Sequence, residues 1–479
     1  MLRYSASRKD SAEQSMWKRA VWHTAELALP IGVAVLFSLW LALDTPEYFE
    51  SVIAAALTAV LFCTVFVCLI ARFRRDTGGW QRGESSLERP RSDRPVKFLE
   101  ALRVLGAALA FRFLVCVIAF LLRYIINGYT ATFVSVQRMW GLWSFSSYYL
   151  TIAEDGYSAA TALIAPTGQV IAPLYSYVVK LFSLITSNYV RAGFAVSTLC
   201  TVFGSLVLYL LVVNEDGRSA ARRALRWFMV LPASFLLSCT TPDSMLFLFC
   251  VSSLYFARKQ NFGAAGAFAV LAVWTDLSGC ALIAALVVEY IVYAAKRIRE
   301  HTPLDKRIVP DLLLQGAGLL LVPLSFALFL FLYSSVGANL QDVGLLDANV
   351  WLDNVLMFFR TAGYQCDLLI NTLRQGSLST ALSLWMPNLL FLLLPLAVMT
   401  FSASRVRASY IAMFLATFLC ATGAGWVVSM PRLMCCSFPF ILGVVQLTRN
   451  RWVDAALELV SFAMFIAYFY AFAARWGVY

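Results

Sequence analysis

The chain has 479 residues, of which 61% are hydrophobic and only 14% charged, with a formal net charge of +11. Soluble domains carry about 25% charged residues, so this composition excludes a water-soluble globular protein. Two histidines, and eleven cysteines of which Cys435 and Cys436 are adjacent, supply no metal-ligand spacing; the basic excess falls in short loops between apolar runs, which points to membrane sorting rather than nucleic-acid binding.

The first residues are polar (Arg3, Arg8, Lys9, Asp10, Glu13) and the first apolar run starts only after His23, which predicts an uncleaved first helix. Further along, apolar runs predict helices near 25–43, 52–70, 104–123, 192–213, 227–241, 244–257, 263–277, 279–294, 311–333, 385–401, 408–427, 434–448 and 453–473. Short alternating segments of the kind a barrel needs are missing. The expected fold class is therefore all-α, a polytopic membrane protein with about 13 transmembrane helices. The four middle runs are short and read as two tight helical hairpins.

The segment Arg72 to Lys97 carries Arg72, Arg74, Arg75, Arg82, Arg89, Arg91, Arg94 and Lys97 among Gly78, Gly79, Pro90 and Pro95, which predicts an irregular cytoplasmic loop. Arg218–Arg226, Arg258–Lys259, Lys296–Arg307, Arg405–Arg407 and Arg449–Arg451 are the other basic loops. Placing all of them inside requires an inner N-terminus, an outer C-terminus, and an interfacial or re-entrant helix over Ala172–Ile185. The loop 124–191, both hairpin tips and the loop 334–384 then share the outer face.

Arg138 to Tyr157 in the first outer loop is rich in aromatics and carries Glu154 and Asp155. It reads as a carbohydrate or lipid-head-group site, with rings to stack on sugars and a carboxylate to act as base, or as an interfacial aromatic belt with a solvated acidic pair. The first hairpin tip, Ser238 to Ser244, holds Asp243, and the second, Trp274 to Gly279, holds Asp276; both carboxylates suit either helix capping or an outer site. Arg112 lies inside an apolar run and requires a partner, a snorkelling path or a structural ion pair. Arg432, which opens a late helix, suits a lipid phosphate or an interfacial anchor.

Together these segments resemble the PIG-V-type mannosyltransferase family of the GT-C superfamily, whose members transfer sugars from polyprenyl-phosphate donors. Tyr149-Leu-Thr-Ile-Ala-Glu-Asp-Gly-Tyr157 is similar to the family's W-D-x-x-W-Y-L-x-I-A-E-x-G-Y loop, and Ala172-Pro-Leu-Tyr-Ser176 to F-P-L-Y-P. Leu231 to Phe247 is similar to F-P-x-S-F-F-L-S-x-x-Y-T-E-S-L-F-L, Leu271 to Gly279 to L-A-x-x-T-R-x-x-G, and Pro431-Arg432 to a late P-R-Y. The likeness spans about residues 104–448. It departs at the W-D carboxylate, which falls on Phe145 or Ser144, at the histidine before Gly-Tyr, which is Asp155, at T-R, which becomes Asp276, and at T-E-S, whose Glu is Asp243.

The resemblance implies a GT-C-like core over 104–448, preceded by a helical hairpin and basic loop (1–103) and followed by a C-terminal helix (449–479). It implies an inverting hexosyltransferase at the outer or lumenal leaflet, with mannose the expected sugar. Asp155, Glu154 and Asp243 are candidate catalytic carboxylates; Tyr149, Tyr157, Tyr175, Ser244, Asp276, Arg112 and Arg432 are candidate substrate contacts. The donor would be a polyprenyl-phosphate sugar and the acceptor a glycan or glycolipid, in the cell membrane of a bacterium or the endoplasmic reticulum of a eukaryote. No cofactor is expected, a divalent metal is left open, and no nucleic acid is involved. The missing W-D carboxylate raises two alternatives, a catalytically inactive relative that acts as an assembly partner and a lipid-linked glycan transporter.

Overall fold

The computed structural model describes residues 24, 26–44, 46–77, 96–128, 132–141, 144–156, 171–300, 308–335, 355–423 and 430–476. Every regular element among them is helical. In chain order these are α1 (Glu26–Leu43), α2 (Phe49–Asp76), α3 (Phe98–Asn127), α4 (Phe133–Gly141), α5 (Ser144–Asp155), α6 (Leu174–Thr186), α7 (Tyr189–Val230), α8 (Asp243–Arg258), α9 (Phe262–Thr275), α10 (Leu282–Glu300), α11 (Ile308–Ser335), α12 (Phe358–Arg374), α13 (Met386–Ser402), α14 (Ala408–Gly423), α15 (Met430–Cys436), α16 (Pro439–Leu447) and α17 (Arg451–Ala473). Among the described residues, eight helical segments are long and apolar enough to cross a membrane, and the α15–α16 pair, bent by 79°, makes a ninth if it counts as one span. The chain is an integral membrane protein of the all-α class.

Three expected boundaries differ. The two separate helices expected within Tyr189–Val230 are both present as the two arms of α7, but they meet in a sharp bend at Gly217 rather than ending at 213 and starting again at 227. Gly217 makes that bend with φ 84° and ψ 174°, a backbone state that a side chain would disfavour. The second arm stops at Val230, not at 241. Pro232 lacks an amide donor, the Ser234 hydroxyl bonds back to the Met229 carbonyl at 2.6 Å, and the chain continues as a tight turn over Ser234–Ser238. Thirdly, the 334–384 loop contains α12, an amphipathic helix. It buries Phe358, Phe359, Ala362 and Cys366, while Ser51 donates to Asp367, Tyr48 donates to Asn371 and Arg360 pairs with Asp44. Arg82, Arg89, Arg91, Arg94 and residues 336–354 lie outside the described residues.

The basic loops gather on one face. Arg72 donates to the Ser404 carbonyl, Arg299 to that of Thr77, Arg405 to that of Gln446 and Arg223 to that of Thr448. Arg258 bridges Glu215 at 2.7 Å and Glu289 at 2.5 Å, and Arg407 also reaches Glu289. Arg226 pairs with Asp454 and Glu458. Carboxylates from neighbouring helices thus neutralise the arginines that the positive-inside pattern places together.

α9 and α11 pack with backbones in contact. A Cβ on Gly318 would lie 2.3 Å from the Phe262 carbonyl oxygen, and one on Gly266 would lie 2.0 Å from that of Gly318, so only glycine permits this crossing. The crossing lies near the start of α9, about 15 Å along the helix from Asp276; at the tip itself a Cβ on Gly279 would lie 2.6 Å from the Ala272 carbonyl carbon, so the turn packs directly on the end of α9.

Candidate functional site

The two hairpin tips meet at the end of the bundle opposite the charged face. α8 begins at Asp243 and ends at Arg258, within the charged face. Sixteen helical residues rise about 24 Å, short of the roughly 30 Å hydrocarbon core. Asp243 therefore lies about 24 Å along α8 from the charged face, and the 14-residue α9 carries Asp276 to a similar distance.

Arg432, on the first turn of the short α15, reaches both tips. Its Nε lies 3.1 Å from Asp243 Oδ1, and its Nη2 lies 4.0 Å from Asp276 Oδ2. Asp243 is 1% exposed, whereas Arg432 and Asp276 are 14% and 17% exposed. Sequence reasoning proposed all three residues, and the structure brings them into one buried ionic node. It did not find their supporting partners. The Thr241 hydroxyl donates to Asp243 Oδ2 at 2.7 Å, and the Cys436 thiol faces the Asp243 carbonyl at 3.4 Å and Oδ1 at 3.9 Å. Asp276 Oδ1 accepts from the Ser278 amide at 2.9 Å and hydroxyl at 2.6 Å. The signals were legible as Thr two residues before one Asp and Ser two after the other, the spacing of local side-chain turns. Asp276 is thus both a cap, through Oδ1, and a node member, through Oδ2; Asp243 makes no side-chain cap bond.

Helices α4, α5 and α6 roof the node. The Trp140 carbonyl on α4 accepts from the Thr240 amide at 3.2 Å and hydroxyl at 3.1 Å, which pins the first tip. Tyr175 on α6 is fully buried; its hydroxyl meets Ser197 Oγ at 2.9 Å, and Ser197 in turn donates to the Cys239 carbonyl at 2.8 Å. Tyr149 on α5 packs edge-on against Tyr175 at 5.7 Å and lies within electrostatic reach of Arg432. Met245, two residues after Asp243, packs into the same cluster.

Four polar groups around this roof and tip are buried with no hydrogen-bond partner among the described residues: Trp140 Nε1 and the hydroxyls of Ser146, Ser176 and Ser244. A buried polar group without a partner is costly and calls for a ligand or ordered water. Beside the node, a small and mainly apolar recess is lined by Leu246, Cys250, Ser278, Leu282, Cys436 and Ser437.

Other candidates fall elsewhere. Glu154 and Asp155 are exposed on the last turn of α5, outside the buried node. Tyr157 lies outside the described residues, as do the side chains of Ser144 and Phe145. Arg112 is 3% exposed, and its partners are not a carboxylate: Nη1 donates to the Ser234 carbonyl and to Ser238 Oγ, each at 3.0 Å. It fixes the turn that leads into the first tip. Among the described residues, no group of three or more His, Cys, Asp or Glu side chains is arranged to hold a metal ion. No family model, no curated protein and no solved structure matches the chain.

Proposed function

We propose that this protein is a membrane glycosyltransferase of the GT-C type, which takes a sugar, mannose by the motif resemblance, from a polyprenyl-phosphate donor at the outer or lumenal leaflet. The observation that carries the reading is the Asp243–Arg432–Asp276 node, recessed beneath aromatic helices and flanked by four buried polar groups without partners. A guanidinium suits a phosphate. Unsatisfied hydroxyls and an indole N–H suit a hydroxyl-rich ligand. In this reading the chain crosses the membrane about 13 times, the short α8, α9 and α14 included. Arg432 holds the donor phosphate, and Asp243 takes the proton from the acceptor hydroxyl as its oxygen attacks the anomeric carbon and the phosphate leaves.

A second reading has its own support. Asp243 is occupied by Arg432 and Thr241, and the acidic pair Glu154 and Asp155 faces solvent, as in a relative that keeps the fold and binds lipid-linked sugar without turning it over. Transfer from a short-chain polyprenyl-phosphate mannose by the purified full-length protein separates the two. Asp243→Asn is expected to retain donor binding and to lose about 10²–10⁴-fold in rate, while Arg432→Gln loses donor binding. Transfer at the parental rate by Asp243→Asn would remove Asp243 from the mechanism. Donor binding without transfer to any acceptor glycolipid offered would favour the inactive relative.

A further inference from the structure

Resting on the phosphate reading of Arg432, we propose that Asp276 is a positioning residue, which takes over the Arg432 guanidinium from Asp243 when an anionic head group enters the node. The two carboxylates are unequal partners. Asp243 holds the nearer contact, 3.1 Å against 4.0 Å, and is the more deeply buried. Asp276 is built to receive. Two Ser278 donors pin its Oδ1, which leaves Oδ2 turned to Arg432 on a tip whose Gly279 packs against the Ala272–Val273 backbone. Asp243 can release the guanidinium without losing every contact, since Thr241 still donates to Oδ2.

Charge makes the exchange consequential. Two carboxylates and one guanidinium leave the node with one net negative charge, so an incoming phosphate is repelled unless a proton enters with it. A buried carboxylate that loses its counter-ion holds a proton more tightly. Movement of Arg432 toward the phosphate and Asp276 therefore leaves Asp243 ready to accept a proton, from solvent when only a head group is bound and from an acceptor hydroxyl when one is present. Occupancy of the phosphate position thereby raises the proton affinity of the base, which serves transfer when the acceptor hydroxyl is already seated, since a proton taken from solvent would fill the same site. Asp276 itself touches neither the proton nor the phosphate in this scheme; it acts through Arg432.

Titration calorimetry of the full-length protein in detergent with decyl phosphate, run in two buffers of different ionisation enthalpy, reads affinity and proton uptake together. The parent is expected to take up close to one proton per ligand. Asp276→Asn removes one of the charges that repel a phosphate, yet without Asp276 to hold the released guanidinium it should weaken binding about tenfold, in the range of coupling between linked sites, and should lose most of the proton uptake; tighter binding would overturn the positioning role. Asp243→Asn should bind at least as tightly as the parent, with no uptake. Asp276→Glu should restore uptake, which a merely structural role would not require. Should Asp276→Asn fold poorly, Ser278→Ala serves in its place: it keeps the charge, loosens Oδ1, and should lower both quantities part of the way. Parental affinity and uptake in Asp276→Asn, or in Ser278→Ala where the first variant fails to fold, would overturn the positioning role and leave the phosphate reading standing. Absence of decyl phosphate binding by the folded parent would overturn both.

Discussion

Arg432 and Asp243 form the pair on which most of this reasoning converges, and their coupling is measurable without any substrate. Arg432→Leu removes the nearest cation from a carboxylate that is 1% exposed, and leaves it to uncharged partners, among them the Thr241 hydroxyl and the Cys436 thiol. Breaking a buried pair in this way costs about 3–5 kcal/mol. Asp243→Asn is milder, because Arg432 keeps Asp276 at 4.0 Å and what is lost is an ion pair outside hydrogen-bond geometry; a cost of about 1–3 kcal/mol is expected. Once Arg432 is gone, Asp243→Asn removes the very charge that was stranded, so the double variant should be no worse than Arg432→Leu alone. The coupling energy should then be about 1–3 kcal/mol, within the range for residues in contact. Unfolding of the four proteins by SDS in mixed micelles gives the cycle. Strict additivity would show that the two groups do not sense each other, and the node would cease to be a unit.

Arg112→Leu strands the Ser234 carbonyl and the Ser238 hydroxyl, at about 1–3 kcal/mol each, offset in part because a guanidinium no longer has to be buried; a lower unfolding midpoint with normal membrane insertion is expected, and an unchanged midpoint would make the turn self-supporting. Gly318→Ala places a Cβ 2.3 Å from the Phe262 carbonyl oxygen, so α9 and α11 must separate at a cost of about 1–3 kcal/mol; parental stability would show that the crossing has slack. For sidedness, Ser379→Cys should react with a membrane-impermeant maleimide on intact cells and Lys259→Cys only after permeabilisation, since the first residue is exposed beside α12 and the second follows Arg258 on the charged face. The reverse pattern would invert the assignment of inner and outer ends.

Much of this architecture is written in local sequence. Apolar runs reveal the membrane helices, and the spacing of arginine clusters anticipates that they share one face. The node was legible in its members, because each of Asp243, Asp276 and Arg432 sits at the end of an apolar run where a charge needs a reason. What local reading could not supply was pairing. Arg112 was expected to find a partner, to snorkel or to pair with a carboxylate, and a turn that folds back from Pro232 supplies the partner as a carbonyl and a hydroxyl. α12 escaped notice because its apolar residues follow a helical stripe within a polar stretch, not a continuous run. Glu154 and Asp155 stood beside aromatics in sequence, but the helix that carries them ends by turning both outward. Distance along the chain and distance across the bundle are set by different contacts, and only the second decides which charges meet.

The N-terminal hairpin shows what such separation means during synthesis. Ser51 bonds to a residue 316 positions later, Tyr48 to one 323 later, and Arg72 to one 332 later. At about 5–20 residues per second on the ribosome, α1 and α2 emerge roughly 15–60 s before α12 to α14 exist. For that interval the buried face of α2, including Thr58, Phe62 and Val65, has no final partner. The first-made part of this protein is therefore the last to be seated, and the bilayer, or a chaperone within it, must hold the hairpin until the closing helices arrive.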